Sequence, residues 1–467
     1  MHIMMIKKFH KANIFLLSIL IMLSACTELD LQPSDTIDPD KAYRNINDIN
    51  MGIIGVYSLI DYTQISLNAT VSDEAAYPTE NTVGNNDAYR WLYTPSSESV
   101  TTLYYTYYQA IDRTNRALAG LEALTFSGND AVTASRYKGE LLALRAYLHF
   151  ELLRTYASSY QAGALGVPYM KVSIISYPPR DNFETVVGNA KADLVSAKEL
   201  LPSAFTDRTR ITRLAVSAIQ ARLALYEKNW SDAITYSSEV ISAVPLATKT
   251  QFAGIWTDNN EAEVVWKLKR AGTTDSRVGD FFYRQTGGIV LYAPALKLLN
   301  SFDKVNDLRY PAYIKFDATR TGTKSQYLVN KYIGGTATAP GLTDIKLFRT
   351  GEMYLIRAEA EAESTGDAAG DLNALRNLRV NNYTNESFSN KQDLIDAIYL
   401  ERYKELAFEG HRFYDLRRRN LPVQRLAADA ANASGAVTLL PEQAQYAFPV
   451  PAQEVLINKS TIQNPKY

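Results

Sequence analysis

The chain has 467 residues, 46% of them hydrophobic, with 49 Lys+Arg against 50 Asp+Glu and a single cysteine. A formal charge of -1 offers no field to attract nucleic acid, the apolar fraction is too high for a disordered chain, and one cysteine excludes a disulfide framework or a multi-thiolate metal site. At ~150 residues per domain the length would divide into about three domains.

Lys7, Lys8 and Lys11 precede an apolar run from Ile14 to Leu23, broken only by Ser18, and Leu23-Ser24-Ala25-Cys26 follows. A basic head, a short apolar stretch and small residues at its end form a secretory signal, too short to span ~30 Å of hydrocarbon. Leu-Ser-Ala-Cys resembles a lipobox, which predicts a signal peptide over 1–25 and acylation of Cys26 as the first mature residue. The alternative is a free cysteine behind an ordinary signal. Acyl chains contribute ~0.8 kcal/mol per buried methylene, so two or three anchor a protein stably to a lipid surface. Processing removes three lysines and no acid, leaving 46 basic against 50 acidic side chains, a net of about -4. Residues 26–40, with Pro33, Pro39 and five acids, read as an acylated tether. No other stretch reaches the ~18 apolar residues of a membrane helix.

From residue 41 onward the periodicity is helical. Tyr104, Tyr108, Ile111, Asn115 and Leu118 share one face, and Leu141, Leu144, Leu148 and Leu152 repeat the spacing before Gly163, Gly166 and Pro168, which predicts an antiparallel pair near 101–157. In Ile211 to Pro245 small residues recur where helices must approach closely. Ala218, Ala221 and Ala224 lie on one helix, Lys228-Asn229-Trp230 makes a turn, and Ala233 to Val240 forms the next. This resembles a tetratricopeptide-type unit, with helical pairs expected near 183–243 and again near 350–419, where Glu352 to Ser364 and Asp367 to Arg379 flank Gly366.

Two stretches, near 68–100 and 248–346, do not read as helix. The first holds Trp91; the second holds Trp256, Trp266, Gly287-Gly288 and short β-prone runs at Val264-Val265-Trp266 and Ile289-Val290-Leu291. Loops of this length are uncommon unless functional, so these insertions are where a site is expected.

The string Leu400 to Arg418 is dense in charge. Arg402 and Glu405 are three apart, Glu405 and Glu409 four, and Glu409 and Arg412 three, so ion pairs along one helical face are expected, with Leu406, Phe413 and Leu416 as an apolar flank. Together with Asp415 these residues read as a structural ion-pair network. Carboxylates beside arginines favour their charged form and make poor acids, so catalysis by Glu405 or Glu409 is the weaker reading.

At this string the chain resembles the SusD/RagB family, the outer-membrane nutrient-binding lipoproteins of Bacteroidetes. The resemblance rests on elements in order: the lipobox with Glu28-Leu29-Asp30-Leu31; Tyr108-Gln109-Ala110-Ile111 to Leu118; Glu140 to Tyr147, leading to Gly166-Val167-Pro168; Glu352 to Ala360; Glu401 to Arg418; and Phe448-Pro449-Val450-Pro451 with Gln463 to Tyr467. It implies an all-α fold, a tetratricopeptide-like scaffold with long loop-rich insertions and minor β structure, in a single body over 41–467. It also implies a non-enzymatic surface protein of the outer membrane that binds a glycan, or in some members a peptide, and passes it to a SusC-like TonB-dependent transporter. The family's ligand aromatics tend to come from the two insertions, which points to Trp91, Tyr77 and Tyr89 in the first and to Tyr283 and Tyr292 in the second. For each, packing of a loop onto the scaffold is the competing role, and Trp230 and Trp266 read as packing residues.

Other classes have less support. A glycoside hydrolase needs two positioned carboxylates, and the sequence isolates no pair. An adaptor using the helical repeats for protein binding alone is the remaining alternative. After processing only His149 and His411 remain, 262 positions apart, so no transition-metal site and no cofactor is expected. Calcium is possible through loop acids such as Asp73, Asp87 and Asp280, but no EF-hand spacing supports it.

Overall fold

The computed structural model describes residues 42–82, 86–272, 274–284, 287–336, 339–364, 366 and 368–467. The signal peptide, Cys26 and the tether lie outside the described residues. Helix accounts for 48% and strand for 8% of the structure, the mainly helical architecture that the periodicity predicts.

The scaffold consists of α1 (Ile46–Tyr57), α2 (Thr63–Val71), α3 (Glu98–Ala123), α4 (Gly128–Tyr156), α5 (Phe183–Leu200), α6 (Arg213–Glu227), α7 (Trp230–Ala243), α8 (Thr350–Ser364), α9 (Ala369–Arg379), α10 (Lys391–Glu405) and α11 (Arg412–Arg418). Successive helices pack on one another: α3 on α4, α4 on α5, α6 on α7, and α8 against α7, α9 and α10. Each exposes an apolar stripe that cannot be buried alone, so the stack buries one large core, with smaller apolar clusters between α8, α9 and α10.

The close approach of α6 and α7 follows from small side chains, since Ala218, Ala221, Ala224, Ala233 and Ser237 are completely buried. Thr212 caps α6 by accepting from the Ala215 N–H, Lys228 ends it in the left-handed conformation, and Asn229 caps α7 by accepting from Asp232. Trp230 is the first residue of α7 rather than part of the turn, and it packs half-buried on the core.

The second insertion leaves and rejoins the scaffold at one place. Val264–Leu268 pairs antiparallel with Ile345–Arg349, with Ile345 opposite Leu268 and Arg349 opposite Val264. Trp266, fully buried in this ladder, stacks on Phe348 and meets Tyr147 of α4 edge-on, the packing role expected for it. Within this insertion the chain does form short elements, including single helical turns at Phe252–Trp256 before the first strand and at Val278–Phe282, Leu296–Leu299 and Arg309–Tyr313 between the two. They are too short to show a period in sequence. The expected limits of the first insertion also shift, since residues 68–71 complete α2 and residues 98–100 begin α3.

The charged string departs from the single helical face expected. Helix α10 stops at Glu405, and a turn through Phe408 and Gly410, both at positive φ, redirects the chain into α11. A Cβ at Gly410 would stand 3.1 Å from the Gln64 carbonyl oxygen, so the turn packs tightly on the start of α2 at a residue without a side chain. The pairs Arg402–Glu405 and Glu409–Arg412 give way to distant partners. Glu405 receives Arg309, Arg349 and Arg379; Glu409 receives Arg349 and Lys331; Arg402 meets Asp415; and Arg412 meets Asp73, 339 positions away. All five residues therefore sit in ion pairs: Glu405, Glu409 and Arg412 bind the C-terminal segment to the rest of the body, and Arg402–Asp415 joins α10 to α11. Among the described residues, no helix is long and apolar enough to cross a membrane.

Candidate ligand-binding face

The two insertions are stitched together. Ala75–Ala76 pairs antiparallel with Ala293–Pro294, and the Asn81 amide donates to the Leu291 carbonyl at 2.7 Å. Arg320 forks onto Glu80 at 2.7 and 2.8 Å, and the Ser325 N–H adds a third bond to the same carboxylate. Two separate excursions in sequence thus form one loop-built face.

An aromatic run crosses this seam. Ring centroids lie 6.2 Å apart for Tyr62 and Phe281, 4.7 Å for Phe281 and Tyr292, 5.9 Å for Tyr292 and Tyr77, and 5.5 Å for Tyr77 and Tyr89. These are the offset and edge-on separations that aromatic quadrupoles favour. Beyond Tyr89 the Arg425 guanidinium lies 3.7 Å from the Tyr89 ring and 4.1 Å from Trp91, while its N–H groups donate to the Thr70 and Ser72 carbonyls. The Trp91 Nε1–H donates to the Val71 carbonyl at 2.9 Å.

Four of the five predicted ligand aromatics are therefore brought together, but they are covered. Trp91, Tyr77, Tyr89 and Tyr292 are 7%, 5%, 0% and 5% exposed, and their faces are occupied by one another and by Arg425. In this structure they pack the insertions onto the scaffold. Tyr283 stands apart and half-buried in a hairpin with Ile289–Val290, with Arg320 5.5 Å from its ring.

The run surfaces at Tyr62 and Phe281, both half-buried, and neither was indicated by the sequence. Tyr62 immediately precedes α2, outside the expected insertion, and Phe281 sits in a single helical turn whose exposed side shows no period. Phe281, Phe282 and Tyr283 are consecutive, and that local density of aromatics was the available signal. Burial, then Asp61 and Asp280, raise the Tyr62 phenol above its ordinary value. Burial also pushes Tyr89 and Tyr292 up to about 12, so these phenols are neutral hydrogen-bonding groups at physiological pH.

Beside Tyr62, Asp61 lines a cleft of about 540 Å³, which also takes in Ser58, Thr209, Arg270, Thr274 and Ser276. Two of its charged residues are held in place. Arg270 donates to the Ile60 carbonyl at 2.7 Å, and Asp275 accepts the Ala271 and Gly272 N–H groups, bonds that hold its carboxyl below the usual range. A half-exposed aromatic pair next to a cleft of hydroxyls and oriented charges can stack on an apolar ring face while hydrogen-bonding hydroxyl groups.

The loop acids considered for calcium are otherwise engaged or placed. Asp73 is fully buried rather than in an open loop; burial pushes its carboxyl up, but Arg412 and Lys297 overcome this and hold it at about 2. Asp87 accepts from the Ser99 hydroxyl, and Asp280 belongs to the helical turn Val278–Phe282. Among the described residues no group of three or more His, Cys, Asp or Glu side chains is placed to hold a metal ion. His149 is buried in α4, where its Nδ1 meets the Arg145 carbonyl and its Nε2 accepts from the Met170 N–H. Burial pushes its pKa down to about 3, so it is a neutral structural group.

The SusD family profile matches residues 303–467, and a second profile, described as starch-binding and associating with the outer membrane, matches residues 29–225. A SusD-like protein of Formosa agariphila is 23% identical over 470 positions, spanning 84% of this chain and 86% of its own. The starch-binding protein SusD of Bacteroides thetaiotaomicron is 35% identical over 136 positions, which cover 28% of this chain and 23% of that protein. Among solved structures, a SusD superfamily protein from B. thetaiotaomicron superposes with a TM-score of 0.79 at 22% identity, covering 91% of this chain and 100% of the other. A laminarin-binding SusD-like protein superposes with a TM-score of 0.70 at 20% identity, covering 91% and 100%. At these identities the structural likeness speaks to fold.

Proposed function

The chain belongs to the SusD/RagB family, and from that membership we propose that it is a surface lipoprotein that binds a nutrient glycan and hands it to a SusC-like TonB-dependent transporter. Acylation of Cys26 tethers it to the outer membrane, facing the cell exterior. The observation that supports glycan binding is the half-exposed Tyr62–Phe281 pair beside a cleft of hydroxyls and fixed charges, on the face where both insertions meet. Relatives named for binding starch and laminarin support a polysaccharide as the ligand class. A mature net charge of about -4 is compatible with an uncharged one.

In this reading Tyr62, Phe281 and Tyr283 touch the sugar, and Trp91, Tyr77, Tyr89 and Tyr292 support that platform from beneath. Titration of a panel of plant, host and microbial glycans tests it, with products followed by chromatography. Tyr62→Ala with Phe281→Ala is expected to weaken the bound glycan tenfold or more without loss of fold. Unchanged affinity in that variant refutes the site, product formation makes the protein an enzyme, and neither binding nor product leaves an adaptor. Cys26→Ala is expected to abolish lipid incorporation, and copurification of a barrel partner tests the handover.

A further inference from the structure

Away from the insertion face, a cavity of about 370 Å³ lies between the segment that follows α4, the α6–α7 turn and the end of α11. Ser158, Ser159, Gln161 and Asn420 are its neutral polar lining residues, and Tyr160, Pro441 and Tyr446 complete it. It shares no lining residue with the cleft beside Asp61. Its cations are Lys228 and the consecutive Arg417, Arg418 and Arg419, and no carboxylate is among its lining residues.

The four cations differ in how their charge is met. Arg418 is neutralised by Glu359 and Asp415, at 2.6 and 2.9 Å. Arg417 is 8% exposed and bonds only neutral groups: its Nη1 donates to the Arg154 and Thr155 carbonyls and to the Tyr160 hydroxyl, and its Nη2 donates to the Ala157 carbonyl at 2.9 Å. Its Nε has no hydrogen-bond partner among the described residues. Arg419 is half-buried over the Tyr399 ring, and Lys228 is exposed; neither has an ion pair among the described residues. Burial lowers the pKa of Arg419 and the neighbouring Arg418 adds to this, while Tyr399, Glu359 and Asp396 offset part of it.

Arg145, Arg222 and Arg309 each meet a carboxylate at 2.5 to 2.7 Å, whereas Arg417, like the buried Arg180 and Arg425, bonds only neutral groups, and two further cations without an ion pair among the described residues line the same cavity. The carbonyls at the end of α4 offer Arg417 the partial negative charge of a helix C-terminus, roughly half an elementary charge. Against three unpaired cations that leaves the cavity positive, in a protein whose net charge is slightly negative. A buried guanidinium with a free N–H, two further cations at the rim and a ring of neutral donors and acceptors suit an oxyanion attached to a hydroxyl-rich body.

We propose that this cavity is a second binding site, specific for a negatively charged sugar unit, either a uronate carboxylate or a sulfate ester. Arg417 receives the oxyanion from within, Lys228 and Arg419 close on it from the rim, and Ser158, Ser159, Gln161 and Asn420 bond the ring hydroxyls. The volume admits one sugar residue, so the site reads a charged substituent and not a chain.

The test is calorimetric titration of the full mature chain with four probes: a galacturonic acid oligomer, a sulfated galactan oligomer, an uncharged glucose oligomer and sodium sulfate. Each is repeated with the double variant Lys228→Gln, Arg419→Gln, whose fold is checked by circular dichroism; Arg417 is left in place because it holds the end of α4. The expected result is that at least one acidic oligomer binds, that added salt weakens it, and that the double variant weakens it tenfold or more while any affinity for the glucose oligomer is unchanged. Failure of both acidic oligomers to bind, or equal binding by the double variant, overturns the proposal. So does binding of sulfate alone that neither acidic oligomer displaces, which would make the cavity an inorganic-anion site.

Discussion

Replacing Glu405 by Gln keeps the side chain's shape and removes one charge from the centre of the ion network. Its Oε2 lies 3.1 Å from Arg309 Nη1, and its Oε1 lies 2.9 Å from Arg349 Nη1 and 3.1 Å from Arg379 Nη2, with all four residues buried. Burial by itself pushes the carboxyl upward, yet the three guanidiniums overcome it and hold Glu405 well below the usual carboxylate range. At an effective dielectric constant of about 20, one such attraction is worth on the order of 4 kcal/mol, much of it offset by the desolvation of both charges. Removing one partner restores none of that desolvation, and losses of about 3–5 kcal/mol are typical. Glu263 still bridges Arg349 and Arg379 at 2.5 and 2.7 Å, which places the expected loss near the lower end, about 3 kcal/mol. Urea unfolding followed by fluorescence and circular dichroism measures it, with Glu227→Gln at the surface pair with Lys191 as a control expected to lose less than about 1 kcal/mol. If Glu405→Gln loses no more than the control, the buried network is not what locks the C-terminal helices to the body.

Three further outcomes follow from the same structure. Gly351→Ala would bring a Cβ to 2.6 Å from the Glu405 carboxylate and 3.1 Å from Arg349, so overpacking is expected to cost about 1–3 kcal/mol in the same unfolding measurement. Trp91→Ala empties a buried site against Arg425, and a loss of about 3–5 kcal/mol with a matching fall in melting temperature is expected; an unshifted melt would contradict the packing role. Burial pushes the Glu74 carboxyl up to about 8, so between its unfolded value of 4.5 and about 8 the folded chain keeps a proton that the unfolded chain releases. That group's contribution to stability is complete below pH 4.5 and is lost as pH rises toward 8, so Glu74→Gln should stabilise the protein at pH 8 and leave it unchanged at pH 4. A variant whose melting temperature tracks the parent across that range would refute the raised value.

How far the sequence reaches depends on how local the determining contact is. The helices of the scaffold are legible because a period of 3.6 repeats within each segment: Leu141, Leu144, Leu148 and Leu152 announce α4, and the alanines of α6 announce a close helical partner. The ion-pair residues of the C-terminal string were legible as charges, but their partners were not. Arg412 meets Asp73 across 339 positions, and Gly410 breaks the helix that the spacing implied.

The site follows the same division. Tyr77, Tyr89, Trp91 and Tyr292 could be assigned to the insertions by position, whereas their burial depends on Arg425, far along the chain, and on a two-residue ladder between Ala75–Ala76 and Ala293–Pro294. Which aromatic faces stay open is a property of that assembled seam, and it passes to Tyr62 and Phe281. The amino-acid sequence by itself determined the helical-pair architecture and the family, because each is written in short-range spacing or in ordered motifs. Only the tertiary structure decided which charges neutralise one another, which aromatics reach the surface and which cations are left unpaired at the end of α11. Those outcomes depend on burial and on contacts across hundreds of positions, and no local period encodes either.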